Sequence, residues 1–206
     1  MKHPHINSNR IRLWTIKPLS IYEALLENGE VAVFESEFAN SDPKFLYGYE
    51  WLIDQMKRRI GESPHPNQYP MWAWFQWMNY NQNKPDMRKY WLEKGEKNVR
   101  LTIEMDRKDV LLSDFELWHN VFCHQIPVIA DPNFLKTIPE DDLPYLGYSE
   151  TSFPDLSEKH QNLIKSTWDN IFNLNISESW HSKSIQATFW NLRLEDVKKV
   201  EFFTGR

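Results

Sequence analysis

Two polar side chains in an otherwise apolar segment are the first candidates for chemistry. Gln186 and Thr188 sit two residues apart in Ile185-Gln186-Ala187-Thr188-Phe189-Trp190-Asn191-Leu192. In a strand, residues two apart share a face, so an amide and a hydroxyl project together. A glutamine amide offers donor and acceptor at once and can read the polar edge of a ligand. Its apolar neighbours give it no local partner. A second group, Ser113, Asp114, Trp118 and His119, stands at a predicted helix start. Asp114 also reads as the N-cap of that helix. His119 follows Trp118, so the two rings point about 100° apart, and His119 reads as a structural histidine. Asp86 and Arg88 follow the most aromatic stretch of the chain.

That stretch is Tyr69-Pro70-Met71-Trp72-Ala73-Trp74-Phe75-Gln76-Trp77. As a strand it turns Trp72, Trp74 and Gln76 to one face and Met71, Ala73, Phe75 and Trp77 to the other. Both faces are largely apolar, which predicts a central strand covered on both sides. The rings form either the floor of a core or the wall of a pocket for a flat ligand such as a base, nicotinamide or sugar.

Composition narrows the function classes. The chain has 206 residues, 41% hydrophobic and 26% charged, with ten tryptophans, which suits one globular domain with a sizeable core. A formal net charge of -5 argues against general binding to a nucleic-acid backbone. Cys123 is the only cysteine, so neither an internal disulfide nor a cysteine-built zinc site can form, and on an apolar helix face it reads as a core thiol. No histidine pattern suits a metal, and none is expected. The scattered glycines match neither phosphate-binding fingerprint. The polar start Met1-Lys2-His3-Pro4-His5, the lack of a long apolar run and the lack of a cysteine framework predict a cytoplasmic protein with no membrane partner.

The elements that must position these groups follow from local patterns. Residues 1–10 read as a flexible lead-in and 11–206 as a single α+β domain. Strands are predicted at Ile11–Ile16, through the tryptophan stretch, at Asn98–Met105, at Ile185–Leu192 and at Lys198–Phe203. A short strand is predicted near Val31–Phe34. Helices are predicted at Ile21–Asn28 with Ser20 as cap, at Asp42–Ile60 with Pro43 at its first position, from Ser113-Asp114 through Phe122, and at Glu158–Ile171. Asn79–Asn98 is a long polar loop. Val110-Leu111-Leu112 is a short apolar run, and the proline-rich Pro127–Ser157 is irregular, with a turn of helix at Asp131–Thr137. The expected architecture is a mixed or antiparallel central sheet with helices around it.

Five blocks together resemble a bacterial family of unknown function, DUF3841. They are Leu13-Trp14-Thr15-Ile16-Lys17-Pro18, the tryptophan stretch, Lys84-Pro85-Asp86-Met87-Arg88, Val110-Leu111-Leu112-Ser113-Asp114-Phe115 with Trp118-His119, and Gln186-Ala187-Thr188-Phe189-Trp190. More distantly, the Leu-Trp-Thr-Ile strand, the helix ending Leu-Leu-Glu-Asn-Gly and the late Gln-Ala-Thr strand resemble the layout of ADP-ribosyltransferases. That resemblance implies an NAD-binding enzyme with a small-molecule or nucleotide ligand and a protein acceptor. It would set Thr15 where histidine is common, with Arg12 as the alternative anchor, and Trp72, Trp74 or Ser113 beside the nicotinamide. Asp114 would stand at the same cofactor site. Gln186 or Thr188 would hold the late-strand catalytic position, with Arg88 near the ligand. No glutamate occupies that late strand. The alternative is a non-catalytic module that takes a small aromatic, nucleotide or peptide ligand in a tryptophan-lined cleft.

Overall fold

Alternation of side chains along the first strand sets the pattern of the whole fold. In this computed structural model, which describes residues 9–38, 43–87, 93–127, 136, 139–141, 153–176 and 178–205, β1 spans Arg10–Pro18, with Ile11 and Leu13 fully buried and Arg12 exposed between them. Helix α1 (Leu19–Asn28) follows directly and is closed by Gly29 at φ 77, a left-handed conformation that glycine adopts without a Cβ clash. Short strands β2 (Glu30–Val31) and β3 (Val33–Phe34) lead to α2 (Pro43–Ile60). The last turn of α2 carries Lys57, Arg58 and Arg59, where the helix dipole favours cations. Then come β4 (Gln68–Tyr69), β5 (Met71–Gln76), β6 (Lys97–Asp106) and β7 (Leu111–Asp114). Helices α3 (Phe115–Phe122) and α4 (Glu158–Trp168) are followed by β8 (Ile185–Phe189), β9 (Leu192–Arg193) and β10 (Val197–Thr204).

The main sheet is antiparallel, in the order β10-β6-β1-β5-β8-β7. β1 and β6 pair along their length, from Arg10↔Asp106 to Pro18↔Asn98. β5 and β8 pair from Met71↔Phe189 to Gln76↔Ile185, with a bulge between Trp74 and Gln76. Between β1 and β5 the register holds only Trp14↔Trp74. The sheet therefore consists of two three-stranded halves joined at one tryptophan pair. One face buries Ile11, Leu13, Leu101, Ile103, Ala73, Ala187 and Phe189 against Leu25 of α1. The opposite face sets Leu111, Trp72 and Trp190 against Leu52 and Met56 of α2, Trp118 and Val121 of α3, and Ile164 and Trp168 of α4. No helix among the described residues is long and apolar enough to cross a membrane.

The single α+β domain and its antiparallel sheet match the sequence-based expectation, and β5 is the internal, doubly covered strand that its two apolar faces predict. Several local expectations change. Arg10 belongs to β1 rather than to a flexible lead-in, because it pairs with Asp106; residues 1–8 lie outside the described residues. Ser20 lies inside α1 instead of capping it, since the helix starts straight after Pro18. The run Val110-Leu111-Leu112 opens strand β7, whose partner β8 supplies the backbone hydrogen bonds. The predicted strand Ile185–Leu192 stops at Phe189, and Leu192 pairs instead with Val31. Cys123 is exposed, not core, because α3 ends at Phe122 and His124, at φ 56, turns the chain away. Arg88, Asp42 and most of the expected helical turn at Asp131–Thr137 lie outside the described residues.

Candidate functional site

Strand register assembles the candidate site. β7 and β8 set Ser113 opposite Gln186 and Leu111 opposite Thr188. β8 and β5 set Gln186 opposite Trp74 and Thr188 opposite Trp72. β5 and β1 set Trp74 opposite Trp14. Directly opposed residues in antiparallel strands project from one face with Cβ atoms about 5 Å apart. A row Ser113, Gln186, Trp74, Trp14 thus crosses the join between the two halves of the sheet. Phe115, the first residue of α3, stands edge-on to Trp74 with ring centroids 4.9 Å apart, and His119 packs on Phe115 at 4.6 Å. The His119 ring nitrogen Nδ1 lies 3.0 Å from the Phe115 carbonyl, the structural role predicted for it.

Among the described residues, two atoms of this row have no partner. Ser113 is 1% exposed, and its Oγ makes no hydrogen bond. Oε1 of the half-buried Gln186 is likewise buried and unbonded. Buried polar groups are normally paired, and each exception calls for a reason. Elsewhere on the same face Trp72 packs at 5.2 Å on Trp118 and edge-on to Tyr49. Burial raises the Tyr49 phenol above its ordinary pKa, an effect that its contact with Trp72 opposes. Thr188 Oγ1 reaches the Leu111 carbonyl at 3.4 Å.

The other expected site residues fall elsewhere. Thr15 points to the opposite face and donates to the Trp72 carbonyl at 2.9 Å, so it tethers the two halves of the sheet. Asp114 also turns away from Ser113. It caps α3 by accepting from the N–H groups of Glu116 and Leu117, and its carboxylate meets Lys183 at 2.7 Å with both side chains buried. Arg12 lies on the tryptophan face, but its guanidinium holds Glu104 at 2.6 Å. That hydrogen bond keeps the Glu104 carboxyl below its usual range. Further along this face, Glu201 takes Lys84, Arg100 and Lys199 together. Burial would raise its pKa, but the three cations outweigh that and hold it at about 2. Arg100 also donates to the Pro85 carbonyl, which fastens the Lys84-Pro85 turn to the sheet. Nothing local marks the Glu201 cluster or Lys183 as the partner of Asp114, since both depend on long-range pairing. Among the described residues no group of three metal-ligating side chains occurs.

A family profile described as Domain of unknown function (DUF3841) matches residues 12–198. The chain belongs to that family. The match covers the five blocks that carry the resemblance, β1 from Arg12 onward and every strand from β2 to β9. No curated protein and no solved structure matches the chain. None of these comparisons supports the ADP-ribosyltransferase likeness.

Proposed function

We propose that this DUF3841 domain is a binding module for a small flat molecule with a polar edge, taken at the junction of the two half-sheets. The observation that carries this reading is the pair of unpartnered buried atoms, Ser113 Oγ and Gln186 Oε1, set in register beside the Trp74 indole. A carboxamide or a nucleobase supplies the donors that these oxygens lack, and its ring has Trp74 and Phe115 as neighbours. The nicotinamide of NAD is therefore the first molecule to test. A non-catalytic role fits better than ribosyl transfer. The described carboxylates of the sheet on this face, Glu104, Asp106 and Glu201, are each held by cations, so none is free to stabilise a developing ribosyl cation.

Nicotinamide, NAD and adenosine at millimolar concentration test the reading through tryptophan fluorescence and melting temperature. At least one is expected to quench and stabilise the wild type, with the effect reduced at least fivefold in Gln186→Ala and Trp74→Phe variants that remain folded. Release of nicotinamide from NAD would instead establish an enzyme. No response to any of the three would remove the proposal.

A further inference from the structure

The six-stranded sheet has one weak ladder. Strands β1 and β6 pair from Arg10↔Asp106 to Pro18↔Asn98, and β5 and β8 from Met71↔Phe189 to Gln76↔Ile185. Between β1 and β5 only Trp14 and Trp74 are in register. A continuous antiparallel ladder exchanges hydrogen bonds at every second residue, so the backbone groups on either side of this pair need other partners. The Trp72 carbonyl has one in the Thr15 hydroxyl at 2.9 Å, and Thr15 is 2% exposed. A side chain there replaces a ladder N–H.

The two faces of the sheet hold this seam unequally. On one face both halves share a core, with Ile11, Leu13 and Leu101 from one half and Ala73, Ala187 and Phe189 from the other. On the tryptophan face, Leu111, Trp72 and Trp190 pack against α2, α3 and α4, and among the described residues none of that cluster comes from β1, β6 or β10. These helices therefore grip the β5-β8-β7 half alone. Trp14 and Trp74, 9% and 8% exposed, fall in neither core. The shared core can act as a pivot, and the tryptophan face is the side that parts.

We propose that the sheet hinges at this seam, the β10-β6-β1 half swinging from the β5-β8-β7 half about their shared core, with Thr15 as the latch. Such an opening breaks one strand pair and leaves both halves folded, so it lies well below global unfolding in free energy. Parting withdraws Trp14 from Trp74 and admits a flat ligand to that indole, a use of the hinge that rests on the binding reading above. The opening itself does not.

Native-state hydrogen exchange of the ligand-free full chain, followed by nuclear magnetic resonance, tests the hinge whether or not a ligand binds. The Trp72 carbonyl faces β1, and backbone groups two residues apart face the same way. The amides of Trp14 and Trp74 therefore meet across the seam, and that of Ala73 faces β8. The two seam amides are expected to exchange on the order of thirtyfold faster than those of Ala73 and Leu101, at rates that barely respond to low urea. Thr15→Val is expected to widen that gap roughly threefold or more, and Thr15→Ser, which keeps the hydroxyl, to leave it at the wild-type value. Equal protection of the seam and of Ala73, a steep urea dependence at Trp14 and Trp74, or a gap unchanged by Thr15→Val would each overturn the proposal. A seam that opens in a protein that takes none of nicotinamide, NAD and adenosine would uphold the hinge and remove only the binding reading.

Discussion

Replacing Ser113 by alanine should stabilise this protein, an unusual sign for a change at a fully buried position. Ser113 is 1% exposed and its hydroxyl is unbonded. A buried polar group without a partner costs roughly 1–3 kcal/mol. Alanine removes that penalty and leaves a void of only about one atom, worth a few tenths of a kcal/mol at about 24 cal/mol per Å³. The lower strand propensity of alanine subtracts a similar amount. The net expectation is a gain of about 1 kcal/mol, or roughly 2–4 °C in melting temperature for a chain of this size. Thr15→Val is the matched control. The Thr15 hydroxyl is equally buried but bonded to the Trp72 carbonyl at 2.9 Å, so its removal should cost about 1 kcal/mol. Urea unfolding followed by tryptophan fluorescence and far-ultraviolet circular dichroism measures both. Opposite signs are the expected outcome. A loss of 1 kcal/mol or more in ligand-free Ser113→Ala would mean that the hydroxyl is satisfied in the native protein, and the argument for a site there would go with it.

Two further outcomes follow from the charged groups. Glu201 is held at about 2 against an ordinary 4.5. Its contribution is therefore complete above pH 4.5 and is lost as pH falls from there toward 2. With Lys84 and Lys199 exposed to solvent, about 1–2 kcal/mol is a fair magnitude. Glu201→Gln should flatten the acid limb of the stability profile between those values, and an unchanged limb would contradict the cluster. Asp114→Asn keeps the cap on α3 but leaves Lys183 buried without its counter-charge, which should cost about 3–5 kcal/mol. Adding Lys183→Met should recover most of that loss in chemical denaturation. A single-variant loss below 1 kcal/mol would show that the 2.7 Å pair is not closed in solution.

Much of the secondary structure is legible locally. The alternation Asn98-Val99-Arg100-Leu101-Thr102-Ile103 marks β6, the doubly apolar Met71–Gln76 marks a central strand, and Asp114 marks the start of α3. Each signal lies within a few residues, where periodicity and capping act. Less legible are elements whose partners are distant. The strand character of Leu111–Asp114 depends on β8, and the break after Phe189 depends on Leu192 finding Val31. Gln186 stood out because its neighbours leave its amide unserved, and the structure does leave Oε1 without a partner. Thr15 could not be assigned a face against Trp72 or Trp74 without the β1–β5 register. Nothing local marks Asp196 for burial, since that burial comes from the packing of both half-sheets around it.

From its residues alone, this chain specifies an α+β domain with a tryptophan-rich inner strand, a negative net charge and no cysteine framework. Those properties rest on composition and on spacings of two to four residues, which act whatever the rest of the chain does. Tertiary structure decided that Ser113, Gln186, Trp74 and Trp14 form one row, that Asp114 and Thr15 turn away from it, and that Asp196 meets Trp190 at a shared cavity. The reason is register. A slip of one residue would send every side chain to the other face, and only the pairing of distant strands fixes which face each one takes.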